Sequence, residues 1–192
     1  MSELLTFPSV RIREEASWET PEFMRPSKVP YAVSLEGALT SQECYKIREA
    51  LSHIEAYKVA GCGAVTREIV AAPCLDPIET VARNVNSVFF GYDIDPGQHS
   101  WLQTYGPNDG YKRHMDGSPG QTRKLTAVAM LSDVRDYEGG RLTMYAEPRD
   151  FVVPKTIGTV VVFQHWVEHE VSPITAGIRQ TINMGFWGPP FK

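Results

Sequence analysis

Apolar residues recur at helical spacing after residue 40, which predicts a first amphipathic helix. Their positions are Cys44, Ile47, Leu51 and Ile54. The helix should begin at Thr40, because Thr40 and Glu43 form a capping box in which each side chain satisfies a free backbone amide of the other residue. A short apolar run before it, residues 31–35, predicts a strand that leads into the helix.

A second helix is predicted from Asp76 onward. Asp76 is expected at the N-cap position, Pro77 at the first helical position and Glu79 at the third helical position. The stripe expected to be buried is Ile78, Val81, Val85, Val88 and Phe89. Gly91 can end the helix, because glycine adopts the left-handed conformation at little cost. Between the two helices, residues 57–73 predict either a loop or an irregular hairpin.

From about residue 99 the pattern changes to short strand-like segments separated by turn residues. The candidate strands are 100–105, 111–116, 123–131, 141–145, 151–153, 158–163, 168–173 and 178–187. Two helices followed by such a series predict an α+β fold whose β part is a jelly roll. We therefore expect one domain over residues 1–192, with an arm and supporting helices over about 1–98 and the jelly roll over about 99–192.

Composition narrows the class of protein. Hydrophobic residues make up 42% of the chain and charged residues 22%, as in ordinary globular proteins. The net charge of −4 argues against a nucleic-acid partner, which usually requires a basic surface. Cys44, Cys62 and Cys74 form no CxxC pair, which predicts free thiols in a reducing compartment. Residues 1–28 predict a polar arm or an edge strand and have no signal-peptide pattern, so we expect a cytoplasmic protein without a membrane partner.

The strongest candidate for chemistry is the pair His114 and Asp116. On an extended segment, residues two apart point to the same side, so an imidazole and a carboxylate would face one site. His169, 53 residues after Asp116, can supply a third ligand from a distant strand. Two histidines and one carboxylate suit Fe(II), because they leave coordination positions open for other ligands.

Arg179 is the candidate anion-binding residue. Arg179 and Thr181 alternate with apolar residues of a predicted strand, so the two side chains share a face. A guanidinium binds a carboxylate through two parallel hydrogen bonds. Burial of an unpaired guanidinium is costly, so an anion is expected to meet it.

Several motifs between Trp101 and Trp187 occur in a characteristic order. They are Trp101-Leu-Gln-Thr-Tyr105, Gly110-Tyr-Lys-Arg-His-Met-Asp-Gly117, Arg123-Lys-Leu-Thr126, Tyr137-Glu-Gly-Gly-Arg-Leu142 and the block from His169 to Arg179. In this order they resemble the Fe(II)/2-oxoglutarate-dependent dioxygenases, most of all the prolyl 4-hydroxylase-like branch. The resemblance implies a double-stranded β-helix (jelly roll) and an enzyme that uses Fe(II), 2-oxoglutarate and O2, with ascorbate as a further candidate cofactor.

The resemblance also implies roles for individual residues. His114, Asp116 and His169 would bind the metal, and Arg179 would bind the distal carboxylate of 2-oxoglutarate. Further cosubstrate contacts are expected from Thr181, Tyr105 and Thr126. Tyr111 is either a core residue or a wall of the substrate site.

His165 competes with His169 for the third ligand position. His165 follows the apolar run 160–163, where the family usually makes a turn, whereas His169 stands ten residues before Arg179, the spacing of the family. We therefore predict that His169 is the ligand and that His165 lies at the rim or beside a ligand. The chain departs from the family pattern at Met130, where relatives often have Tyr, and at Gly185, where the family has Trp.

The resemblance predicts hydroxylation of an unactivated C–H bond and favours peptidyl proline in a peptide or protein partner as the substrate. Asp116 favours hydroxylation, because halogenating relatives lack this carboxylate. Alternative substrates are a free amino acid, another protein side chain or a nucleobase. A non-catalytic jelly-roll binding module is the alternative from another class.

Overall fold

The computed structural model describes residues 30–58, 63–70, 72–96, 98–117, 122–146 and 149–190, so the predicted arm over 1–28 lies outside the described residues. The helices are α1 (Ser41–Leu51) and α2 (Asp76–Val85). The strands are β1 (Ala32–Leu35), β2 (Tyr57–Lys58), β3 (Val65–Val70), β4 (Gln98–Tyr105), β5 (Tyr111–His114), β6 (Arg123–Met130), β7 (Tyr137–Gly139), β8 (Leu142–Tyr145), β9 (Phe151–Val152), β10 (Val160–Gln164), β11 (Glu168–Val171), β12 (Ile174–Gly177) and β13 (Arg179–Trp187). Within these described ranges, no helix is long and apolar enough to cross a membrane.

Most of the strands form two antiparallel sheets that pack face to face. The larger sheet has the order β1-β10-β6-β13-β4-β3-β2, and the smaller sheet has the order β5-β11-β8-β9. Between them lies an apolar core that includes Val128 and Phe163 from the larger sheet and Leu142 and Met144 from the smaller sheet. Strands β7 and β12 pair separately. This arrangement confirms the predicted α+β class with a jelly-roll β part.

Strand β6 is buried on both faces, because it lies between the helices and the smaller sheet. Leu125, Ala127 and Ala129 belong to the core that the larger sheet shares with the helices. Val128 and Met130 point the other way, into the core between the sheets. A strand buried on both faces loses the apolar and polar alternation of a half-exposed strand, which explains why residues 125–130 of β6 are all apolar except Thr126.

The predicted capping box of α1 is confirmed. The backbone N–H of Glu43 donates to Oγ1 of Thr40 at 3.2 Å, and the backbone N–H of Thr40 donates to Oε2 of Glu43 at 2.7 Å. The buried residues of this helix are Cys44, Ile47 and Leu51, and Ile54 is partly buried just after its end. Cys44 and Cys74 are free thiols, and Cys62 lies outside the described residues.

The start of α2 differs from the prediction by one residue. A 3₁₀ turn over Pro73–Leu75 continues directly into the helix, so Leu75 takes the cap position and Asp76 is the first helical residue. Among the residues described, no side chain caps this end. The prediction that Asp76 is the N-cap is therefore wrong, because the preceding turn already has helical backbone angles.

A π-helical turn over Asn86–Phe90 follows α2 and changes which residues are buried. Ile78 and Val85 are buried as predicted, but Val88 is 68% exposed, so its assignment to the buried stripe is wrong. The wider turn rotates later side chains away from the 3.6-residue pattern. Val81 and Phe89 are only partly buried. Gly91 ends the segment with φ 69°, in the predicted left-handed conformation.

Two further segments of the β part differ from the prediction. Strands β2 and β3 form an antiparallel pair, so the hairpin alternative for residues 57–73 is correct where the chain is described. The predicted strand 168–173 ends at Val171, and β12 begins at Ile174 as a separate strand. Strand β12 pairs with β7, a segment in which only a turn was expected. This long-range pairing had no local signal.

Candidate active site

Two histidines meet across neighbouring strands of the smaller sheet. His114, the last residue of β5, lies opposite His169 in β11, and their ring centroids are 4.3 Å apart. The ring of Tyr111 stacks on His114 at 3.8 Å, and Phe163 meets His169 in a T-shaped contact at 4.8 Å. Aromatic neighbours therefore hold both imidazole planes.

The backbone determines which nitrogen of each imidazole is available. Nδ1 of His114 lies 2.7 Å from the carbonyl oxygen of Lys112, and Nδ1 of His169 lies 2.9 Å from that of Val167. A carbonyl oxygen only accepts, so each Nδ1 carries the proton and each Nε2 keeps its lone pair for a ligand. Burial lowers the pKa of His169, which further favours the neutral imidazole.

Asp116 joins the two histidines from a loop rather than from a strand. The strand predicted over 111–116 ends at His114, so strand alternation does not orient Asp116, and that part of the prediction is wrong. Instead, the backbone N–H of Asp116 donates to the carbonyl oxygen of His165 at 3.1 Å. Oδ1 of Asp116 lies 3.6 Å from Nε2 of both His114 and His169.

The second carboxylate oxygen of Asp116 is held by β6. Oγ1 of Thr126 donates to it at 2.5 Å, and Nη2 of Arg123 donates to it at 3.3 Å. Burial by itself raises the pKa of Asp116, but the neighbouring His114, the charge of Arg123 and the hydrogen bond from Thr126 outweigh burial and hold this pKa well below its usual range. Asp116 is therefore a charged carboxylate with Oδ1 directed to the histidines.

The three side chains fit a divalent transition metal. The ligand atoms of His114, Asp116 and His169 lie within 4.8 Å of one another. Movements of about 1 Å would bring each of them to the bond length of roughly 2.1 Å that such an ion requires. Two neutral imidazoles and one carboxylate suit Fe(II) with open coordination positions. Their assignment as metal ligands stays a prediction, for which this geometry is suitable.

His165 lies beside this cluster and contributes no ligand atom to it. Its ring packs against Gly117, where a methyl group would overlap with Cδ2 of the imidazole. Its backbone N–H donates to the carbonyl oxygen of Lys124 at 3.1 Å. This placement indicates that His165 packs the loop that carries Asp116.

A cavity between the two sheets connects the histidines to Arg179. Its lining residues are Gln103, Tyr105, Tyr111, His114, Val128, Leu142, His169, Val171, Arg179, Thr181 and Asn183. The larger sheet supplies the guanidinium and most of the polar groups, and the smaller sheet supplies the imidazoles. The two histidines and the cation therefore face the same cavity.

Arg179 is only 1% exposed. It lies opposite Tyr105, and its guanidinium carbon is 5.3 Å from the centroid of that ring. Nη2 of Arg179 meets the Sδ atom of Met130 at 3.4 Å, a weak acceptor, and Nε has no hydrogen-bond partner among the described residues. No carboxylate in the described part of the chain pairs with this guanidinium, whose other polar neighbour is the phenol of the buried Tyr137. A buried cation in this state is costly, which indicates a site for an anion.

Polar side chains continue along the cavity wall beside Arg179. The phenol of Tyr105 donates to Oε1 of Gln103 at 2.6 Å, and Nδ2 of Asn183 donates to the same oxygen at 3.0 Å. The hydroxyl of Thr181 donates to Oδ1 of Asn183 at 3.3 Å. Tyr105 and Thr181 thus lie on the cavity wall, and their contact with a cosubstrate stays a prediction. Sequence reasoning missed Gln103 and Asn183, although each lies two residues from a predicted site residue on the same strand face.

The structure shows which groups surround Thr126 and Tyr111. Thr126 lies on β6, and its hydroxyl donates to Asp116. This placement indicates that Thr126 orients the carboxylate. Its contact with a cosubstrate stays a prediction. Tyr111 lines the cavity as well as stacking on His114. Tyr111 also packs against two core clusters, so its predicted alternatives, a core residue or a wall of the substrate site, both stay predictions.

The space at Gly185 is occupied by a neighbouring indole. A side chain on Gly185 would collide with the ring of Trp187, and the strand register shifts between Phe186 and Trp187. Arg123 lies between Trp187 and Trp101, with its guanidinium carbon 5.4 Å and 5.7 Å from the two ring centroids. Sequence reasoning did not connect Arg123 with Asp116, because its partners come from separate segments of the chain.

Comparison with known proteins supports a particular family. Residues 100–187 match the family model of the 2OG-Fe(II) oxygenase superfamily. The chain is 27% identical over 147 residues to a PKHD-type hydroxylase of Azoarcus sp. (strain BH72), an alignment that covers 74% of this chain and 59% of that protein. It is 32% identical over 83 residues to a PKHD-type hydroxylase of Klebsiella pneumoniae (strain 342), covering 40% of this chain and 37% of that protein. The chain thus spans less than two thirds of the length of these curated relatives.

Solved structures with a similar fold include prolyl hydroxylases. A prolyl-4-hydroxylase of Pseudomonas putida is 18% identical, with a TM-score of 0.68 over 83% of this chain and 94% of that one. A prolyl hydroxylase of Trichoplax adhaerens, in complex with a hypoxia inducible factor oxygen degradation domain peptide fragment, is 19% identical, with a TM-score of 0.64 over 82% and 83% of the two chains. At these identities the likeness concerns the fold. Together with the family model over residues 100–187, it supports a 2OG-Fe(II) oxygenase whose fold is similar to that of prolyl 4-hydroxylases.

Proposed function

We propose that this protein is an Fe(II)- and 2-oxoglutarate-dependent dioxygenase that hydroxylates an unactivated C–H bond. The observation that carries the proposal is the cavity between the sheets, which has His114 and His169 in one wall and the buried guanidinium of Arg179 in another. 2-Oxoglutarate has a metal-chelating 2-oxo acid at one end and a free carboxylate at the other. These two ends match the two polar features of the cavity.

In this proposal, His114, Asp116 and His169 hold Fe(II) through Nε2, Oδ1 and Nε2. Bound Fe(II), with 2-oxoglutarate and O2, supplies the chemistry that oxidises a C–H bond to an alcohol. The protein holds the groups in place. Thr126 and Arg123 keep Asp116 oriented through its other oxygen, because residues behind a metal ligand fix its direction and tune its affinity.

Arg179 anchors the distal carboxylate of 2-oxoglutarate. A buried guanidinium forms a strong charge-assisted pair with a carboxylate, because little water competes for either group. Val128, Leu142 and Val171 supply apolar surface to the same cavity. Tyr105 and Thr181 add hydroxyl groups on the wall beside the guanidinium and are the expected further contacts.

For the substrate, we propose peptidyl proline in a peptide or protein partner. The support is the name of the Pseudomonas putida structure, a prolyl-4-hydroxylase, and that of the Trichoplax adhaerens enzyme with its bound peptide fragment. A free amino acid or another protein side chain is the alternative, because the same iron site serves either substrate.

The experiment is a turnover assay with two substrate sets. The purified protein is incubated with Fe(II), 2-oxoglutarate, O2 and ascorbate as reductant, together with either proline-containing peptides or free amino acids. Succinate formation and the gain of one oxygen atom, measured by mass spectrometry, report the reaction. We expect oxygen gain on proline in the peptides and none in a matched His169→Ala variant.

Two other outcomes would change the proposal. Oxygen gain only on a free amino acid would retain the dioxygenase and replace the substrate. Absence of 2-oxoglutarate turnover in every mixture, also without added substrate, would favour the non-catalytic binding module instead.

A further inference from the structure

The surroundings of Arg179 include a layer of residues behind the cavity wall. The guanidinium meets the ring of Tyr105, which lines the cavity, and the Sδ atom of Met130. A further neighbour is Tyr137, a 4% exposed residue of β7 that is absent from the cavity lining. The side chains of Arg179 and Tyr137 are neighbours that both pack against Gly140. Burial raises the pKa of Tyr137, and the charge of the Arg179 guanidinium and its hydrogen-bonding contact with the phenol act against that rise. Since a guanidinium only donates, the phenol oxygen of Tyr137 is the acceptor.

Lys155 lies on the outer side of Tyr137. Its ammonium lies over the ring of Tyr137, 4.1 Å from the centroid, and donates to the carbonyl oxygen of Gly139 at 2.9 Å. An ammonium over a phenol ring is attracted by the negative face of the ring. Lys155 thus fixes the ring of Tyr137 from one side, while the phenol oxygen binds Arg179 on the other.

The two cations also influence each other. Burial lowers the pKa of Lys155, and the positive charge of Arg179 lowers this pKa further. Lys155 and Arg179 therefore repel each other through Tyr137. A carboxylate bound at Arg179 would reduce that repulsion, so the arrangement favours an anion at this end of the cavity.

The turn after β7 is shaped to fit these side chains. Gly140 has φ 60°, and a methyl group there would lie 2.9 Å from Cδ of Arg179 and 3.3 Å from Cε2 of Tyr137. The backbone therefore passes directly against both side chains. Only glycine combines this backbone angle with so close an approach. The stem of Arg179 is enclosed, and a change of its rotamer would require Tyr137 or the turn to move.

We propose that Tyr137, held in place by Lys155, is a positioning residue that fixes the Arg179 guanidinium in the orientation that receives the distal carboxylate of 2-oxoglutarate. The inference rests on the proposed cosubstrate role of Arg179. Arg has a long flexible stem, and a stem ordered before the ligand arrives loses less entropy on binding. Tyr137 thereby supplies a phenol next to Arg179. In the family pattern a Tyr at position 130 would supply this phenol, but this chain has Met130 there.

The test compares two ligands that differ only at the end that Arg179 would bind. The protein is loaded with Mn(II) in place of Fe(II) and titrated by calorimetry with 2-oxoglutarate or with pyruvate, a 2-oxo acid without the distal carboxylate. We expect Tyr137→Phe to weaken 2-oxoglutarate binding by about tenfold or more, the effect of one lost hydrogen bond to a charged group. Pyruvate and Mn(II) binding should be unchanged, because the phenol does not face the metal end.

An Arg179→Met variant in the same titration separates the inference from the proposed function. If Arg179→Met leaves 2-oxoglutarate affinity unchanged, the proposed anchoring role itself is wrong. If Arg179→Met weakens binding but Tyr137→Phe does not, only the positioning role is overturned. Equal losses for 2-oxoglutarate and pyruvate in Tyr137→Phe would indicate general damage to the site and would also overturn it.

Lys155→Met tests the same layer without changing the buried core. Methionine keeps an unbranched stem over the ring of Tyr137 and removes the charge. We expect 2-oxoglutarate affinity to fall by about twofold to threefold, less than for Tyr137→Phe, and to depend less on ionic strength. Lys46→Met, on the exposed face of α1, is the matched control and should change neither quantity. An effect of Lys46→Met as large as that of Lys155→Met would overturn the role of Lys155.

Discussion

The tautomer of each candidate ligand histidine is determined by its own strand. In both cases Nδ1 bonds to the carbonyl oxygen two residues earlier, that of Lys112 for His114 and that of Val167 for His169. Because the contact is local, it forms with the strand and presents Nε2 without help from another side chain. Asp116 differs, since its orientation depends on donors from β6.

At the residue scale, we predict that His169→Ala abolishes metal binding and that His165→Ala retains it. Nε2 of His169 faces Oδ1 of Asp116, whereas His165 packs on Gly117. Loss of a ligand should weaken Mn(II) binding by more than about 100-fold, beyond the usual effect of a residue behind the ligands. Paramagnetic resonance of free Mn(II) measures the affinity. Similar losses in both variants would contradict the assignment of His169.

Two substitutions of Arg179 should weaken cosubstrate binding to different degrees. Arg179→Met should weaken 2-oxoglutarate binding by about 2–4 kcal/mol, because the carboxylate would lose its buried cation. Arg179→Lys should lose less, since the ammonium keeps the charge but not the planar fork. Calorimetric titration of the Mn(II) form measures both, and Mn(II) affinity should remain constant. Unchanged 2-oxoglutarate affinity in Arg179→Met would assign the anchoring to another cation.

At the scale of elements, the Asp116 loop packs on the turn after β10 with no space between them. We predict that Gly117→Ala weakens Mn(II) binding by about tenfold, because the methyl group would press on the His165 ring and displace Asp116. The double variant Gly117→Ala/His165→Ala should recover most of the affinity, since the obstructing ring is gone. A double variant as weak as Gly117→Ala alone would show that the methyl group acts through the backbone instead.

The π-helical turn after α2 provides a matched pair of substitutions. Val85 is 1% exposed and Val88 is 68% exposed, although the helical pattern assigns both to one buried stripe. Val85→Ala should lower the free energy of unfolding by about 2 kcal/mol through lost burial and a residual cavity. Val88→Ala should change it by less than about 0.5 kcal/mol. Urea unfolding measures both, and equal effects would mean that the helical stripe continues through Val88.

At the scale of the whole molecule, the candidate site spans both sheets. The histidines belong to the smaller sheet, and Arg179 belongs to the larger one. 2-Oxoglutarate bound between them should stabilise the folded protein by about 2.7 kcal/mol at 100 times its dissociation constant. Thermal unfolding of the Mn(II) form should therefore shift upward with 2-oxoglutarate. His169→Ala should show no such shift, and a shift equal to that of the unaltered protein would locate the binding elsewhere.

Local patterns in the sequence were sufficient for features whose contacts are also local. The capping box of Thr40 and Glu43 joins residues three apart, so it could be predicted and was confirmed. The alternation in β13 placed Arg179 and Thr181 on one face, and both line the cavity. The jelly roll followed from the series of short strands and turns, and the ordered motifs between Trp101 and Trp187 indicated the family.

Tertiary structure alone decided the features whose partners are distant in the sequence. The carbonyl group of His165 orients Asp116 after β5 has ended, and the pairing of β7 with β12 is not visible in either segment alone. Tyr137 lies beside Arg179, and Lys155 lies over Tyr137, only because the fold brings three separate segments together. Local sequence determines turns, caps and strand faces through neighbouring atoms. It does not specify which distant side chain will fill the space beside a buried charge, because that depends on how the whole chain packs.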